Sequence, residues 1–548
     1  MTEYEHFRQM PKMTNNHLHI FAMFPYRRLL KVIQNIDPEL YSKIYYYDNE
    51  VTSSSGEPSI VKYLLTLTNE ESEGVPYNDV SKKEDWKPLA DAGQQFWDLL
   101  VVRNHLKNPF KYLEQIQLMF RIFVRHYKIY YYMWYCTLLV NFYNKVYYLN
   151  VRGKPGTINK DVKHGHRLFM ESKNVLPSDA FNKILSDISQ GDTDISPSDY
   201  KFLYKQYTKI KYECDLIMKA VSDFNKNHTV VKYIDGDELI NGKNEISLPP
   251  TEQDRISDDA YPIMMVQYII TYHKQPKTLQ LDIRKYIMEI KKLLYVAVII
   301  NKDYGYQFFN GIDLVGNEQE THTLIEYMPY LGKLLYFRKY GINFIPHYGE
   351  SDVSKTEMNP IEKFFIEKNI SRFGHGMELI ETTDYVSTVI NQKKRILIES
   401  CPISNELMGY YKVVDNPHKD LIDNPNFKLM ICTDDNGLFG YSSVTRDYMI
   451  IANAWNLVDN QFMQITSNGL EVIDKTYRSY YIQLHKKMWI EFEQRNSFHE
   501  IELEGLSDDD KLSRIRSNKL SGIRSNKLSG IRSNKLSGNK KLKRKNPI

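Results

Sequence analysis

The sequence predicts an α/β fold, a (β/α)8 TIM barrel with two large insertions. Eight short apolar segments have the composition of buried strands. In the C-terminal half, helix-compatible runs of about 15 to 25 residues alternate with these strands, which indicates a parallel sheet. The chain of 548 residues is long enough for eight such units and two insertions. A doubly wound sheet is the alternative, but no Gly-rich phosphate-binding turn follows a strand.

The strand boundaries follow the apolar runs and the Gly, Pro and polar clusters that interrupt them. The eight predicted strands are residues 10–24, 146–151, 263–271, 307–314, 342–346, 370–373, 395–400 and 428–433. Polar, Gly- and Pro-rich stretches predict one insertion at about residues 48–95, between strands one and two, and another at about 153–260, between strands two and three. The barrel is expected to occupy residues 1–505.

Residues 506–548 are predicted to form a disordered basic tail of low complexity. The octapeptide Ile-Arg-Ser-Asn-Lys-Leu-Ser-Gly occurs three times in succession, at 515–522, 523–530 and 531–538. From Lys511 onward there are 13 Lys and Arg and no Asp or Glu, which leaves residues 1–510 with 59 basic and 68 acidic side chains. Residues 511–548, and Lys540–Lys545 above all, predict either weak contact with nucleic acid or a nuclear-import receptor, or a solvated tail without specific function.

The composition predicts a soluble, cytoplasmic protein rather than a secreted or membrane protein. The four cysteines are widely separated and form no C-x-x-C pair, which argues against a disulfide framework and against a thiolate metal site. The N-terminus has no apolar signal-peptide core, and the apolar run 129–140 is too short to span a bilayer. A nuclear location through Lys540–Lys545 stays open.

Chemically capable side chains lie where several predicted strands end. The carboxyl ends of barrel strands face a common mouth, and catalytic residues of this fold are found there. The histidines of His17-Leu18-His19 project from one face of strand one, because side chains two apart in a strand point the same way. The other candidates are His347 and Glu350 after strand five, His375 after strand six, and Asp434 and Asp435 after strand eight.

These residue types suit metal-assisted hydrolysis. Three imidazoles and one carboxylate make a reasonable zinc shell with a position left open for water. Zinc lowers the pKa of water toward neutrality and so supplies a nucleophile at physiological pH. Glu350 and His375 then provide proton transfer and water orientation. For removal of an amine from a heteroaromatic ring, a protonated Glu can donate to the ring nitrogen and make the adjacent carbon electrophilic.

The motifs resemble the adenosine/AMP deaminase family of metal-dependent amidohydrolases, and within it the adenosine deaminase growth factor type. The similarity covers about residues 10–493 and is strongest from residue 305 onward. The motifs that carry the resemblance are Met10-Pro-Lys with His17-Leu-His19, Gly311-Ile-Asp-Leu-Val-Gly316, His347-Tyr-Gly-Glu350, Arg372-Phe-Gly-His-Gly376, Glu399-Ser-Cys-Pro-Ile-Ser-Asn405 and Thr433-Asp-Asp-Asn-Gly-Leu-Phe-Gly440.

The resemblance implies a role for each residue and one zinc ion per chain. His17, His19, His347 and Asp434 would be the zinc ligands. Glu350 would protonate purine N1, and His375 would hold the attacking hydroxide. The substrate-binding residues would be Asp435 at N7, Gly316 with its backbone N–H at N3, and Trp97 in the pocket.

The implied reaction is hydrolysis of adenosine or 2′-deoxyadenosine to the inosine product and ammonia. Two departures from the family pattern bear on the substrate. Ile20 and Phe21 follow His19 where the family has an Asp that binds the ribose, and Tyr348 replaces a usual Ala, so that its ring is expected to enter the site. Deamination of another aminopurine derivative, and a catalytically weak adenosine-binding protein that keeps the fold, are the alternatives.

Overall fold

The computed structural model describes residues 3–48, 63–67, 86–98, 100–102, 126–158, 175–226, 264–279, 282–316, 320–349 and 357–504, with a few single positions between 109 and 117. Its strands are β1 Met13–His19, β2 Ile44–Asp48, β3 Tyr63–Leu67, β4 Trp86–Pro88, β5 Val146–Gly153, β6 Met265–His273, β7 Phe309–Val315, β8 Asn343–Phe344, β9 His347–Tyr348, β10 Arg372–His375, β11 Ile396–Ser400 and β12 Phe427–Ile431.

The α-helices are Glu3–Gln9, Tyr26–Ile36, Pro38–Ser42, Gln94–Asp98, Tyr127–Tyr143, Ser178–Ile188, Tyr200–Lys226, Ile283–Tyr304, Leu324–Leu335, Pro360–Glu367, Met377–Glu381, Thr383–Asn391, Pro402–Leu407, Thr445–Trp455, Asp459–Asn468 and Lys475–Glu504. Short 3-10 helices are Leu89–Asp91, Pro197–Asp199, Tyr336–Tyr340, Val413–Asp415, Pro417–Leu421 and Gly469–Val472. Among the described residues, no helix combines the length and the apolar character needed to cross a bilayer.

Nine strands form one parallel system. They pair in the orders β1-β5-β6-β7-β8 and β9-β10-β11-β12, and every pairing is parallel. The strands β8 and β9 are two parts of a single pass of the chain. Pro346 lies between them and has no N–H to donate, while its carbonyl accepts from the Gly374 amide at 2.9 Å. The nine strands therefore fill eight positions.

The ring closes between the first and last strands. Leu18 and Asp434 form a parallel bridge beyond the end of β12. The Asp434 amide donates to the carbonyl of His17 at 2.9 Å, and the His19 amide donates to the carbonyl of Asp434 at 3.2 Å. The predicted α/β class with a parallel sheet is confirmed, and eight parallel positions in a closed ring are the arrangement of a (β/α)8 barrel.

The strands are buried because helices cover them from outside. All residues of β5 and β7 are buried, as expected for parallel strands enclosed on both sides. The helix Tyr127–Tyr143, which contains the apolar run noted in the sequence, is largely buried against this layer. At the N-terminal end of the barrel, the buried Lys12 ammonium donates to the carbonyls of Met10 and Asn144 at 2.9 and 3.0 Å.

Strands β2, β3 and β4 form a separate antiparallel sheet in the order β3-β2-β4. Strands β3 and β4 lie within the region predicted as the first insertion. From the sequence, Arg27–Ile44 reads as helical, but the helices there end at Ser42 and β2 begins at Ile44. The run Tyr45–Tyr47 favours a strand because aromatic side chains fit a pleated surface. Residues 505–548, with the basic repeats, lie outside the described residues, so the division of the chain into barrel and tail stays a prediction.

Candidate metal centre and active site

The barrel brings together side chains that are up to 417 positions apart in the sequence. His17 and His19 lie at the end of β1, His347 begins β9, His375 ends β10, and Asp434 follows β12. All five therefore lie at the carboxyl ends of parallel strands. The bridge between Leu18 and Asp434 places the first and last members of the set side by side.

Four of these side chains converge on one point. The Nε2 atom of His17 lies 3.2 Å from Nε2 of His19 and 3.0 Å from Nε2 of His347. The Oδ1 atom of Asp434 lies 3.1 Å from Nε2 of His19 and 3.5 Å from Nε2 of His17. The donor atoms of His17, His347, His375 and Asp434 all lie within 4.8 Å of one another, and His19 adjoins this group through His17 and Asp434.

Buried carboxylates orient two of the imidazoles from behind. Nδ1 of His347 forms a hydrogen bond of 2.6 Å with Oδ2 of Asp313, and Nδ1 of His17 lies 3.1 Å from Oε2 of Glu399. The side chains of His17, Asp313 and Glu399 are fully buried. A carboxylate stabilises a proton on the nitrogen that faces it, so each Nε2 presents a lone pair to the interior of the cluster.

This donor set fits a divalent metal ion. Nitrogen and oxygen ligands about 2.0–2.1 Å from a five-coordinate zinc ion, with one position left for water, lie roughly 2.9 to 3.6 Å from one another. The observed separations of 3.0–3.5 Å lie within that range. Lone pairs that face each other at 3.0 Å repel unless a cation lies between them. His17, His19, His347 and Asp434 are therefore suited to hold one ion.

Two arginines neutralise the carboxylates behind the cluster. The guanidinium of Arg152 lies 2.9 Å from Oδ2 of Asp313 and 2.6 Å from Oε2 of Glu399, and Arg372 donates to Oε1 of Glu399 at 2.5 Å. Burial alone would raise the pKa of Asp313, but His347 and Arg152 outweigh burial and lower it to about 2. The Asp313 carboxylate is therefore ionised at neutral pH.

Asp434 is held in a backbone conformation that non-glycine residues rarely adopt, with φ of 61°. The Ser404 hydroxyl donates to its Oδ2 at 2.7 Å, which leaves Oδ1 directed at the histidines. Burial would raise the pKa of Asp434, but the hydrogen bond and charge of His19 outweigh it and hold this pKa well below the usual range. Burial would lower the pKa of His19, but Asp435 and Asp434 raise it to about 9.

His375 lies at the edge of this group of donor atoms. Its Nε2 is 3.7 Å from Oδ2 of Asp434, and its Nδ1 forms a hydrogen bond of 3.0 Å with the amide oxygen of Asn405. Its φ of 57° is again left-handed, and such strain in non-glycine residues is concentrated at functional sites. This position suits a group that orients a water next to the ion.

A cavity of about 440 Å³ opens beside these side chains, which is large enough for a purine nucleoside. Gly316 and Asp435 lie on its wall, as do Ile20 and Phe21. The end of the cavity next to β1 is therefore apolar where the family pattern has a ribose-binding Asp. The other described lining residues are His19, Leu113, Gln117, Arg152, Gly153, Lys154, Thr157, Thr271, His273, Val315, His347, His375, Ser404, Met408, Tyr410 and Asp434.

Three residues expected in the site are not found there among the described residues. Glu350, the expected proton donor, lies outside the described residues. Trp97 is not among the described residues that line the cavity: its Nε1 donates to the carbonyl of Ala92 at 3.3 Å, and Arg27 lies over its ring. The Tyr348 ring does not line the described cavity, because adjacent strand residues point to opposite faces and His347 takes the inward one.

Tyr348 instead contacts the surrounding helices. Its hydroxyl donates to the buried Glu362 carboxylate at 3.0 Å and accepts from Asn359 at 2.8 Å. Its ring packs edge-on against Phe365. The expectation that this ring crowds the site is therefore wrong, and the tyrosine joins β9 to the helix Pro360–Glu367.

The residues that support the cluster were missed as functional residues, although the sequence contains a signal for them. Arg152, Asp313 and Glu399 are charged residues within otherwise apolar strand segments, Val-Tyr-Tyr-Leu-Asn-Val-Arg, Ile-Asp-Leu-Val and Ile-Leu-Ile-Glu. Charged side chains are almost never fully buried unless they are paired. Three such interruptions in strands of one barrel indicate a buried charge network, although only the fold shows how they pair.

The comparisons with known proteins agree with this site. Residues 288–476 match the family model described as adenosine deaminase. Adenosine deaminase 2 of Dictyostelium discoideum is 29% identical over 187 residues, which cover 33% of this chain and 33% of that protein. The adenosine deaminase of Plasmodium gallinaceum is 32% identical over 164 residues, which cover 30% of this chain and 42% of that protein. The matches thus span between a third and a half of the length of these two relatives.

Among solved structures, an Arabidopsis N6-mAMP deaminase superimposes with a TM-score of 0.48 and 13% sequence identity, covering 88% of this chain and 99% of that one. The resemblance stated from the sequence motifs is confirmed over residues 288–476, which match the adenosine deaminase family model. This region contains Gly316, His347, His375, Asp434 and Asp435. His17 and His19 lie outside it and reach the site through β1.

Proposed function

We propose that this chain is a zinc-dependent hydrolase that converts adenosine or 2′-deoxyadenosine and water into inosine or deoxyinosine and ammonia. The observation that carries the proposal is a cluster of imidazole nitrogens and one carboxylate oxygen, in which four neighbouring donor atoms are separated by 3.0–3.5 Å, beside a cavity of nucleoside size. The family match over residues 288–476 supports the same reaction class. One zinc ion per chain is expected from the resemblance to the deaminase family.

His17, His19, His347 and Asp434 would hold the ion, whose contribution is to acidify a water so that it can attack the purine ring. His375, held by Asn405, orients that water from the side of Asp434. Asp435 and the backbone of Gly316 lie on the cavity wall, where they bind the purine nitrogens. Glu350 is assigned from its motif to donate the proton at N1, which makes the ring carbon electrophilic.

A second candidate is deamination of an aminopurine derivative that lacks a ribose or carries an altered one. Ile20 and Phe21 favour it, because both line the cavity where the family pattern supplies a carboxylate for the sugar. An apolar wall gives no hydrogen bond to a hydroxyl group and leaves it without a partner when buried. The chemistry at the metal end would be the same for either substrate.

The test is a panel of adenosine, 2′-deoxyadenosine, AMP and adenine, given to the zinc-loaded protein while ultraviolet absorbance follows conversion of adenine to hypoxanthine. We expect turnover of adenosine or deoxyadenosine, and loss of that turnover in Glu350→Gln with zinc still bound. Turnover of adenine alone would favour the second candidate. A protein that binds one zinc and converts none of the four would contradict deamination and favour a binding protein.

A further inference from the structure

One wall of the cavity is built by the loop that follows β5. Lys154 and Thr157 of this loop line the cavity, and neither belongs to the cluster of metal-binding side chains. The loop lies at the start of the second predicted insertion. The residue that holds it comes from the same insertion, 56 positions after Thr157 in the sequence. The contacts beneath it show what holds it.

The loop turns its backbone amides toward a single carboxylate. Gly156 has a left-handed φ of 79°, and successive amides next to such a residue form a concave anion-binding nest. The amide of Thr157 donates to Oε2 of Glu213 at 2.8 Å, and the Thr157 hydroxyl donates to the same atom at 3.3 Å. The neighbouring amides of Gly156 and Ile158 also lower the pKa of this carboxyl group.

Glu213 reaches the loop from the helix Tyr200–Lys226, within the second predicted insertion. Its side chain is buried, with 1% of the residue exposed, and its Oε1 accepts a hydrogen bond of 3.1 Å from the buried Tyr130 hydroxyl. Burial raises the pKa of Glu213, while the loop amides and Tyr130 lower it. One carboxylate thus connects the helix Tyr127–Tyr143, which packs on the barrel, and the helix Tyr200–Lys226 to the cavity wall.

We propose that Glu213 is a positioning residue that fixes the loop Lys154–Ile158 and thereby sets the affinity of the cavity for its substrate. The inference rests on the proposed function, since the substrate is the aminopurine deaminated there. Without this acceptor, the Thr157 amide and the Tyr130 hydroxyl lose their partner inside the protein, so the loop must move to find another. The metal-binding residues lie on β1, β9 and after β12, so the loss should affect binding more than chemistry.

The experiment compares Glu213→Met, Glu213→Gln and a matched control, Asp223→Met. Asp223 lies on the same helix and accepts a hydrogen bond of 2.8 Å from Tyr131, the residue next to Tyr130, but neither residue lines the cavity. Glutamine keeps an acceptor oxygen, so it serves as the conservative variant. Kinetics with the preferred aminopurine of the panel are combined with amide hydrogen exchange of residues 156–158.

In Glu213→Met, we expect KM to rise on the order of tenfold and kcat to change by less than about twofold, because lost hydrogen bonds to a charged group are worth about one factor of ten or more in binding. The amides of residues 156–158 should exchange faster. Glu213→Gln and Asp223→Met should stay within about twofold of the wild type in KM. If Glu213→Met does not fold, Tyr130→Phe removes one donor and should raise KM about threefold.

Unchanged KM in a folded Glu213→Met, or a fall in kcat alone, would overturn the positioning role. If the wild type converts none of the four purines, the proposed function fails, and hydrogen exchange decides the inference by itself. Equal exchange at residues 156–158 in all variants would then overturn it, and faster exchange confined to Glu213→Met would support it.

Discussion

At the scale of the residue, Glu399 connects the chemistry of the site to the interior of the barrel. Its carboxylate lies 3.1 Å from Nδ1 of His17 and forms ion pairs with Arg152 and Arg372. It therefore both faces an imidazole of the candidate metal centre and compensates two guanidinium groups, one of which is fully buried. Removing its charge should weaken metal binding more than substrate binding, because Glu399 is not among the described residues that line the cavity.

We expect Glu399→Gln to bind zinc about 10–100-fold more weakly, because groups that orient ligating imidazoles typically contribute this much to metal affinity. The measurement is competition with a metal indicator. Glu362→Gln is the control: Glu362 is equally buried, but it serves Tyr348 and the amide of Asn359 instead of a metal-binding imidazole. The control should keep wild-type zinc affinity, and equal affinities in both variants would contradict the assigned role of Glu399.

At the scale of the element, β10 passes so close to the imidazoles that its central residue must lack a side chain. A Cβ atom on Gly374 would lie 2.9 Å from Cε1 of His17 and 3.3 Å from Nδ1 of His347. Both contacts are tighter than ordinary van der Waals distances, and both histidines are held from behind by carboxylates. The imidazoles could make room only by leaving the geometry in which their Nε2 atoms converge.

Gly374→Ala should therefore weaken zinc binding on the order of tenfold, since overpacking in a buried site typically costs about 1–3 kcal/mol. Gly332→Ala is the matched control, because no atom lies within 4 Å of the added methyl in the helix Leu324–Leu335. The control should be neutral or slightly stabilising in thermal unfolding. A Gly374→Ala protein with wild-type zinc affinity would show that the imidazoles tolerate displacement.

The elements were predictable where one apolar run makes one strand. The predicted strands at 146–151, 307–314, 395–400 and 428–433 overlap β5, β7, β11 and β12 with shifts of a few residues at either end. The predicted strand five, residues 342–346, overlaps only β8, because Pro346 interrupts the pairing and the chain pairs again as β9 beyond the predicted end. Strand six is predicted to end at Phe373, because the next residue, Gly374, has a low strand propensity. In the structure β10 continues to His375, and the missing side chain of Gly374 leaves room for the imidazoles.

The site was predictable to the extent that its residues end strands in recognisable motifs. His17, His19, His347 and Asp434 follow that rule, and the fold brings them together. Asp313, Glu399 and Arg152 lie within strands and act on the histidines from behind. Their partners are far away in the sequence, so their roles depend on the register and closure of the barrel. Glu213 lies in the second predicted insertion, and no local sequence pattern indicates how its helix packs.

At the scale of the whole molecule, the candidate metal centre joins the first barrel strand to the last. His17 and His19 belong to β1 and Asp434 follows β12, and the bridge between Leu18 and Asp434 closes the ring at the same place. An ion bound there would hold both strands, because it binds the folded chain alone. The contacts that close the barrel therefore also bring His17 and His19 next to Asp434.

The most direct measurement is ammonia release from adenosine by the protein as isolated, after removal of metal with a chelator, and after return of one equivalent of zinc. We expect one zinc per chain, loss of ammonia release on chelation, recovery with zinc, and neither binding nor release in Asp434→Asn. Ammonia release at an undiminished rate by the metal-free protein, or by Asp434→Asn, would contradict a metal-dependent deaminase centre formed by these four residues.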